Sequence, residues 1–376
     1  MNGTLFIASN LQMGGIQRVT SVVAEALAQK GHDITLLNIS YEDDYYPIDD
    51  SVYLKPTKDF ATNLVRMVRK LRRVMKYGER RDILREYYLH KYLKNKNYVN
   101  IILNPELFIY YRQIHTLVPQ AKIYLWMHNT FDVYVNSYFK DNVDELLSIV
   151  KAVDGVICLE HTSEAAWKLY NVNTIVLYNP LTLPDSNVIS DLQSKVISFT
   201  SRLVMRQKGL DYVVELAKYL PDSWSIRIAG DGKDLNRLVQ LIHEAGLAGK
   251  IKLTGALNNG ELEKHYLDSS IFILTSRWEG FGLVLVEAMS RGLPVVAFDI
   301  PAVREIAEDG KSGILVPQGD VPRMAGAIQR LIVNQRLREE YGRRSLLRAR
   351  DFSLEVIIPQ WERWLDLRKQ DTQENQ

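Results

Sequence analysis

The most informative stretch of this sequence is Thr275-Ser-Arg-Trp-Glu-Gly-Phe-Gly-Leu-Val-Leu-Val-Glu-Ala-Met-Ser-Arg-Gly292. The apolar run Ile271-Phe-Ile-Leu274 before it predicts a buried parallel strand, because strands covered on both faces are continuously apolar. The segment 283–291 predicts a helix that a glycine ends. Glu279 is therefore expected on the strand-to-helix loop, and Glu287 is expected inside the helix.

The same loop offers two kinds of group that can hold a phosphorylated sugar. Gly280 and Gly282 free its backbone for unusual dihedral angles and for close approach of a ligand. The first turn of the following helix presents N–H groups without intrahelical partners, which suit an anion. The two glutamates add carboxylates that accept hydrogen bonds from sugar hydroxyls. The alternative is a glycine-bounded turn with two incidental glutamates.

This stretch resembles the E-x7-E motif of the retaining glycosyltransferases of the GT4 family. The resemblance implies an α/β chain with the GT-B fold, in which two Rossmann-like parallel domains face each other across a cleft. It also implies that Glu287 binds the nucleotide ribose and that Glu279 holds hydroxyls of the donor sugar. Backbone N–H groups near Phe281, Gly282 and Leu283 would hold the donor phosphate.

Length and composition agree with a soluble protein of two domains. The 376 residues exceed one typical core, and 46% hydrophobic with 24% charged residues is ordinary for a globular chain. The only cysteine, Cys158, excludes an intrachain disulfide and a cysteine-based metal site, which fits a reducing compartment. No stretch approaches the roughly 20 apolar residues of a spanning helix, and Leu5-Phe-Ile-Ala8 is too short for a signal peptide. We expect a cytoplasmic protein.

Short apolar runs alternate with helical stretches along the chain, which is typical of parallel α/β domains. Examples of the helices are 15–29, 210–220 and 233–244. The predicted strands are Thr4–Ser9, Ile34–Ile39, Val99–Leu103, Lys122–Met127, Gly155–Leu159, Thr174–Tyr178, Val196–Thr200, Ser225–Ala229, Ile251–Thr254, Ile271–Thr275, Pro294–Phe298 and Gly313–Val316.

The segment 179–187 contains two prolines and several turn formers, and it predicts an extended linker. We therefore expect an acceptor-side domain over 1–182, a donor-binding domain over 188–351, and a terminal helix with a polar tail over 352–376. Pro359 predicts a kink in that helix. In the family such a helix crosses back onto the first domain.

A basic loop follows the first strand of the second domain, Ser201-Arg-Leu-Val-Met-Arg-Gln-Lys-Gly209. It resembles the Arg…Lys-Gly element of the family, which implies that Arg202 and Lys208 hold the donor diphosphate. Cations there stabilise the charge that develops on the leaving group. Arg206 competes for the role of the arginine, because the spacing varies among relatives. A solvated basic loop is the alternative.

Two further turns of the second domain carry weaker signals. Ala229-Gly-Asp-Gly232 resembles the Gly-x-Gly turn of the family near the nucleotide, which implies a donor contact at Gly230. Leu257 follows the next strand and is a candidate contact for the nucleobase. A tight strand-to-helix turn alone would also explain the glycine pair.

In the first domain, Asn10-Leu-Gln-Met-Gly-Gly-Ile-Gln-Arg-Val19 resembles the Gly-Gly-x-x-Arg loop of the family, which borders the donor phosphate and the acceptor. Gly14 and Gly15 would let backbone N–H groups face a ligand, unless this is a plain turn. The loop is not GxGxxG, so nothing supports a dinucleotide cofactor. His128 resembles the family histidine near the donor sugar and the acceptor hydroxyl, where imidazole can hydrogen-bond a hydroxyl or shuttle a proton near neutral pH. A histidine that is merely hydrogen-bonded by its surroundings is the alternative.

The stretch 64–76 contains six cations and no acid, with apolar residues at helical spacing. Such a helix can lie on an anionic membrane surface, and a solvated helix is the alternative. Base-reading motifs are absent, so we expect no nucleic acid partner. The acidic pairs 43–44 and 49–50 read as loop residues, and the family resemblance implies no obligatory metal or other cofactor.

The resulting hypothesis is a retaining hexosyltransferase. It would move a sugar from a nucleotide sugar, with UDP-hexose expected by family frequency, to a glycan or lipid-linked acceptor in surface polysaccharide or glycoconjugate synthesis. Protein O-glycosylation and a non-catalytic, nucleotide-sugar-binding partner subunit are the alternatives. A glycoside hydrolase is disfavoured, because eight helical residues would span about 12 Å and its paired carboxylates lie about 5–9.5 Å apart.

Overall fold

The computed structural model describes residues 3–12, 14–40, 48–54, 64–65, 67–68, 82–184 and 186–367. The chain divides into two compact units. The first unit comprises the chain up to Pro180 together with the residues from Ile357 onward, and the second unit is Leu181–Val356. Each unit is described below by itself.

The first unit contains a seven-stranded parallel sheet with strand order β3-β2-β1-β4-β5-β6-β7. Its central strands are almost fully buried, because helices must cover both faces of a parallel sheet. The strands are β1 (Thr4–Ala8), β2 (Ile34–Asn38), β3 (Tyr53–Leu54), β4 (Asn100–Leu103), β5 (Lys122–Trp126), β6 (Gly155–Cys158) and β7 (Thr174–Val176).

Helices connect these strands within the first unit. In α1 the apolar side chains of Val19, Val23 and Leu27 recur every fourth residue and are buried, which gives the helix one core-facing stripe. The described helices before Pro180 are α1 (Gly15–Gln29), α2 (Ile83–Leu93), α3 (Tyr111–Leu117), α4 (Phe131–Val133), α5 (Val143–Ala152) and α6 (His161–Lys168), with 3-10 turns at Pro105–Tyr110 and Lys140–Asn142 and a π-turn at Tyr134–Tyr138.

The second unit contains a six-stranded parallel sheet with strand order β10-β9-β8-β11-β12-β13. Chain order and sheet order differ at β8, from which the sheet grows in both directions. The carboxyl ends of β8 and β11 therefore lie side by side at the middle of the sheet. The strands are β8 (Val196–Thr200), β9 (Ser225–Ala229), β10 (Ile251–Gly255), β11 (Ile271–Leu274), β12 (Val295–Phe298) and β13 (Ile314–Val316).

Helices of the second unit alternate with its strands. They are α7 (Met205–Lys208), α8 (Leu210–Ala217), α9 (Leu235–Glu244), α10 (Asn259–Leu267), α11 (Leu283–Ser290), α12 (Pro301–Ile306), α13 (Val321–Val333) and α14 (Gln335–Ala349), with 3-10 turns at Glu308–Gly310 and Arg350–Phe352. Asn258 caps α10 in a capping box with Glu261, which satisfies two backbone donors reciprocally.

The terminal helix α15 (Leu354–Trp364) returns to the first unit. The indole of Trp361 is fully buried and lies 4.7 Å from the ring of Trp126 and 5.9 Å from the ring of Phe6. Glu362 forms ion pairs with Lys30 and His32. The helix thus completes the core of the first unit on β1 and β5.

All twelve predicted strands are present, and the differences lie in short elements. The two-residue strand β3 is too short to show a pattern. The terminal helix begins at Leu354 and not at Phe352, because Ser353 is extended and separates it from a 3-10 turn. The predicted helix 210–220 ends at Ala217, and the helix predicted from residue 233 begins at Leu235. None of the helices in the described ranges is long and apolar enough to cross a membrane.

Candidate functional site

The second unit brings two of the predicted site residues into direct contact. Lys208 Nζ lies 2.6 Å from Glu279 Oε1, and Ser276 Oγ donates a hydrogen bond of 2.6 Å to the same oxygen. The side chains of Lys208 and Glu279 are only 12% and 7% exposed. Because shielding from water strengthens a charge pair, this contact is stronger than a surface ion pair of the same length.

Gly209 explains how Lys208 reaches this position. The glycine ends α7 in a left-handed conformation with φ of 62°, and an added Cβ would stand 2.1 Å from the carbonyl oxygen of Thr275. The hydroxyl of Thr275 donates to the carbonyl of Lys208 at 2.9 Å. The turn that carries Lys208 is therefore packed directly against the end of β11, where the loop with Glu279 begins.

The two arginines that compete for the other cationic role, Arg202 and Arg206, are both exposed. Neither guanidinium has a hydrogen-bond or ion-pair partner in the described part of the chain. Arg202 lies in the turn after β8, and the backbone of this turn is fixed by a hydrogen bond from Leu203 N to the carbonyl of Asp231. The backbone position of Arg202 is thus defined, while its side chain is open to solvent.

The glycine pair after β9 has a packing role that the sequence did not reveal. Gly230 has φ of 135°, and an added Cβ would stand 1.8 Å from the carbonyl oxygen of Ser201. An added Cβ on Gly232 would stand 2.5 Å from the carbonyl oxygen of Leu203. These glycines let the turn after β9 pack on the turn that carries Arg202.

Glu287 is 2% exposed, and the protein engages both of its carboxylate oxygens. Thr182 Oγ1 donates to Oε1 at 2.8 Å, and Tyr266 Oη donates to Oε2 at 3.1 Å. A buried carboxylate needs such donors, because desolvation of its charge is costly. Sequence reasoning missed both partners, since Thr182 lies in the linker and Tyr266 lies on α10, far from the motif.

The remaining residues of the E-x7-E segment have distinct environments. Gly282 caps α11 in a left-handed conformation with φ of 98°, which favours glycine. The ring of Phe281 is buried edge-on against Phe352 at 5.6 Å, so its side chain is structural. The side chains of Leu283 and Leu257 are half-buried.

A second charged pair, also missed by sequence reasoning, holds the same loop from its other side. Arg277 donates to both carboxylate oxygens of Asp211 at 3.0 and 2.6 Å and lies 4.2 Å from the centre of the Tyr212 ring. The hydrogen bonds to Asp211 raise the pKa of Arg277 above its usual value. This pair anchors the loop to the start of α8.

In the first unit, the loop after β1 departs from the predicted glycine geometry. Gly14 has φ of 174°, which is extended backbone that any residue adopts, so no left-handed turn requires it. An added Cβ at Gly14 would meet only the flexible end of Gln17. Gly15 is exposed and begins α1. Asn10 accepts hydrogen bonds from the Gln17 side chain and the Gln12 backbone.

His128 follows β5 and is buried, with its ring 4.4 Å from the ring of Trp126. Burial lowers the pKa of His128 to about 3, because the cation cannot be solvated there. A ring that is neutral near pH 7 does not favour the proton-shuttle alternative, and it favours the hydrogen-bonding alternative. The neutral ring can donate from one nitrogen and accept at the other, which suits a sugar hydroxyl.

Cys158 ends β6 and is fully buried. Burial raises the pKa of its thiol, which keeps it protonated and unreactive. The described ranges contain no group of three or more His, Cys, Asp or Glu residues that could hold a metal ion. Asp49 Oδ1 accepts a hydrogen bond from Ser51 N in a loop, where this acidic pair was predicted, and the pair 43–44 lies outside the described residues.

The predicted basic helix 64–76 also lies outside the described residues, apart from 64–65 and 67–68. Leu64 and Met67 are exposed there.

Comparison with known proteins agrees with this architecture. Residues 186–347 match the family model described as glycosyl transferases group 1. An uncharacterized glycosyltransferase of Haemophilus influenzae is 26% identical over 364 residues, which cover 95% of this chain and 98% of the relative. The amylovoran biosynthesis glycosyltransferase AmsD of Erwinia amylovora is 23% identical over 363 residues, which cover 93% of this chain and 95% of that protein.

Among solved structures, a mutant of S. aureus TarM in complex with fondaparinux, alpha-GlcNAc-glycerol and UDP superimposes with a TM-score of 0.78 at 16% identity. The match covers 97% of this chain and 100% of that chain. These comparisons confirm a glycosyl transferases group 1 domain over residues 186–347 and the predicted GT-B fold of two Rossmann-like domains.

Proposed function

The chain carries a glycosyltransferase group 1 domain of the GT4 type within a GT-B fold, and we propose that it is a retaining hexosyltransferase. It transfers a sugar from a UDP-linked donor to a hydroxyl of a glycan or lipid-linked acceptor in the synthesis of a surface polysaccharide or glycoconjugate. The UDP complex of TarM and the amylovoran relative support this choice of donor and product.

The observation that carries the proposal is the contact of Lys208, Glu279 and Ser276 after β11. Lys208, which is 12% exposed, contacts the loop that leads into α11, so its cation and the amino end of that helix can act together on an anion. Glu279 supplies the matching acceptor for donor-sugar hydroxyls. A diphosphate joined to a sugar combines both requirements in one molecule.

In this mechanism the donor diphosphate lies on Lys208, on Arg202 and on the backbone N–H groups of 281–283. The acceptor oxygen attacks the anomeric carbon from the face of the leaving group, so that the new bond keeps the configuration of the old one. The bond from the anomeric carbon to the phosphate oxygen breaks, and its electron pair stays on that oxygen. The acceptor proton moves to the same phosphate oxygen.

The other side chains act by orientation. Glu287 binds the ribose diol, and its hydrogen bonds with Thr182 and Tyr266 fix the plane of its carboxylate. Leu257 and the turn at Gly230 border the nucleotide. In the first unit, the neutral ring of His128 hydrogen-bonds a sugar hydroxyl, and the loop at Gly14 and Gly15 borders the acceptor. Lysine and arginine supply the positive charge at the diphosphate, so the reaction needs no metal.

We place this reaction in the cytoplasm, where nucleotide sugars are made, with 64–76 as a candidate contact to an anionic membrane face. The intact protein is then expected to bind anionic vesicles at low salt and to release them at high salt. Failure to bind at low salt would remove the membrane contact from the proposal.

The test is release of nucleotide by the purified protein from a panel of UDP-, GDP- and ADP-sugars, with and without glycan acceptors. Lys208→Ala should lower turnover by about 100-fold or more, because Lys208 stabilises charge that develops in the transition state. Arg202→Ala should have a comparable effect and Arg206→Ala should not, and this comparison decides between the two arginines that compete for the role. Equal turnover in all three variants would contradict the assignment, and no release from any nucleotide sugar would favour the non-catalytic subunit.

A further inference from the structure

Four adjacent strands of the first unit are each followed by a buried polar side chain with an unsatisfied atom. Within the described residues, no hydrogen-bond partner exists for Asn104 Nδ2 after β4, for either ring nitrogen of His128 after β5, for Glu160 Oε2 after β6, or for Asn179 Oδ1 after β7. Asn104 and Glu160 are each only 1% exposed. The amide oxygen of Asn129, beside His128, is unsatisfied as well.

The sheet register places these groups along one edge. Leu103 pairs with Leu125, Trp126 pairs with Ile157, and Cys158 pairs with Val176, all in parallel. Each unsatisfied residue lies within three positions of one of these pairs on the carboxyl side. Because neighbouring strands are about 4.8 Å apart, the four strand ends span about 14 Å. We call this row, formed by 104, 128, 129, 160 and 179, the β4–β7 edge.

Such a row is energetically unusual. More than about 90% of buried polar groups are hydrogen-bonded in folded proteins, and each buried group left unpaired costs about 1–3 kcal/mol. Elsewhere in the described chain the unsatisfied atoms include indole donors such as Trp167 Nε1, hydroxyls at the end of β8 and the ring nitrogens of His265, but none of them forms a row over four adjacent strands. Several unsatisfied groups side by side at the carboxyl ends of parallel strands point to a ligand, because open α/β sheets bind their ligands there.

The chemistry of the β4–β7 edge selects the ligand class. The five side chains include no cation, since burial keeps His128 neutral. An anionic ligand would meet the Glu160 carboxylate without compensation. The amides and the imidazole each offer both a donor and an acceptor, while Glu160 only accepts. Hydroxyl groups, which donate and accept, match this set best.

The fold holds the Glu160 carboxylate in a fixed orientation. Its other oxygen, Oε1, accepts a 2.7 Å hydrogen bond from Ser163 N and so caps α6. The Ser163 hydroxyl in turn accepts from Phe131 N at 2.8 Å, which ties the cap to the segment after β5. The unsatisfied oxygen Oε2 is therefore preorganised by the fold and does not need to be ordered by a ligand.

We infer that the β4–β7 edge binds an uncharged, polyhydroxylated sugar ring of the acceptor, with Glu160 Oε2 accepting a hydrogen bond from one ring hydroxyl. This inference rests on the proposed transferase function, and it adds Asn104, Asn129, Glu160 and Asn179 to the acceptor side. Glu160 is a specificity residue in this view, because a sugar that lacks the matching hydroxyl leaves its carboxylate unpaired.

The test uses the full chain and a panel of uncharged methyl glycosides of glucose, galactose and N-acetylglucosamine, with glycerol, glucosamine and inorganic phosphate as comparison probes. Binding is followed by saturation-transfer NMR and by titration. At least one methyl glycoside should bind to the native protein. Glu160→Gln keeps the Oε1 cap but replaces the acceptor Oε2 with an NH2 donor, so it should weaken this binding by about tenfold or more.

Glu164→Gln, on the exposed side of the same helix, is the matched control and should change binding by less than about twofold. If Glu160→Gln fails to fold, Asn104→Asp replaces the unsatisfied NH2 donor with an acceptor and should give a similar loss. The inference is overturned if no methyl glycoside binds, if binding survives both substitutions, or if only glucosamine or phosphate binds.

UDP binding in the same samples separates this inference from the proposed function. Glu160→Gln should bind UDP as the native protein does, whereas Lys208→Ala should bind it less. If the native protein binds UDP and turns over a nucleotide sugar, and Glu160→Gln does not change glycoside binding, the inference is overturned and the proposed function stands. Glycoside binding that depends on Glu160, without UDP binding or turnover, would support the sugar site and overturn the transferase.

Discussion

The carboxyl edges of the two sheets satisfy their buried polar groups in different ways. In the second unit the two buried glutamates at this edge have protein partners, as with Glu279 on Lys208 and Glu287 on Tyr266 and Thr182. The only unsatisfied groups at the end of β8 in the described chain are neutral hydroxyls, those of Thr200 and Ser201. In the first unit the β4–β7 edge leaves mainly neutral groups unpaired. The physical reason is the size of the penalty, since an unpaired buried charge costs far more than an unpaired amide.

The difference suggests two modes of ligand binding. Under the proposed function, a diphosphate that binds Lys208 must exchange with a contact that already exists, because Lys208 is held by Glu279. A sugar entering at the β4–β7 edge gains hydrogen bonds without breaking any. Exchange at Lys208 favours a strongly charged ligand, because only such a ligand competes with Glu279. New hydrogen bonds at the β4–β7 edge favour binding of a neutral ligand.

The largest effect is expected from a substitution in the turn after β9 of the second unit. Gly230→Ala should destabilise the protein by more than about 3 kcal/mol, because its Cβ would collide with the carbonyl of Ser201 at a positive φ. Gly14→Ala should cost about 1 kcal/mol or less, since Gly14 is extended and only a flexible side chain must move. Chemical unfolding followed by circular dichroism measures both. Similar losses would show that the two glycine turns are built alike.

Acidification tests the buried histidines of the two units, His128 and His265. Burial lowers the pKa of His128 to about 3, and burial with the nearby charge of Arg227 lowers the pKa of His265 to about 4. Between these values and the unfolded value of about 6.5, the unfolded chain binds the proton and the folded chain does not. Stability from each histidine is thus full above about pH 6.5 and falls as the pH decreases.

The free energy of unfolding should therefore drop by about 3 kcal/mol per histidine between pH 6.5 and 4. His128→Gln and His265→Gln should each remove their share of this slope, measured by urea unfolding at a series of pH values. An unchanged slope in His128→Gln would mean that the ring is hydrated and titrates normally.

A moderate effect is expected where Glu287 is held. Tyr266→Phe removes one donor to a buried carboxylate, which should cost about 1.5–3 kcal/mol of stability and weaken UDP binding severalfold. Tyr219→Phe, on the exposed surface of the same unit, is the control and should change neither quantity. Calorimetric titration with UDP gives the affinity. Unchanged affinity with lost stability would make Tyr266 purely structural and remove the link between Glu287 and the nucleotide.

The smallest effect concerns the exposed anchor of the same loop. Arg277→Lys loses the bidentate geometry with Asp211 and should lower the free energy of unfolding by about 0.5–1 kcal/mol. The loss is small because both partners are substantially exposed. The difference from the native protein should shrink at high salt, which screens an exposed pair. Thermal unfolding at low and high ionic strength checks this. A large loss of stability that does not depend on salt would show that the Arg277–Asp211 pair behaves as a buried ion pair.

The sequence predicted the strands well, because buried parallel strands are short apolar runs whose signal is local. It also placed the candidate site loops directly after the carboxyl ends of these strands, because that position follows from the strand pattern. It did not predict Thr182 or Tyr266 beside Glu287, or Asp211 beside Arg277, because these pairs join residues far apart in the chain. Nor could it find the low pKa of His128, which arises from burial around Trp126 and not from neighbouring sequence.

The packing of Trp361 on Phe6 and Trp126 has a consequence for biosynthesis. The first strands to leave the ribosome lack a part of their core that is encoded after every other described element. At about 5–20 residues per second, the amino-terminal sheet must wait for the synthesis of the entire second unit before α15 can cover β1 and β5. During that interval the apolar surface around Trp126 lacks the cover that Trp361 gives it in the folded chain.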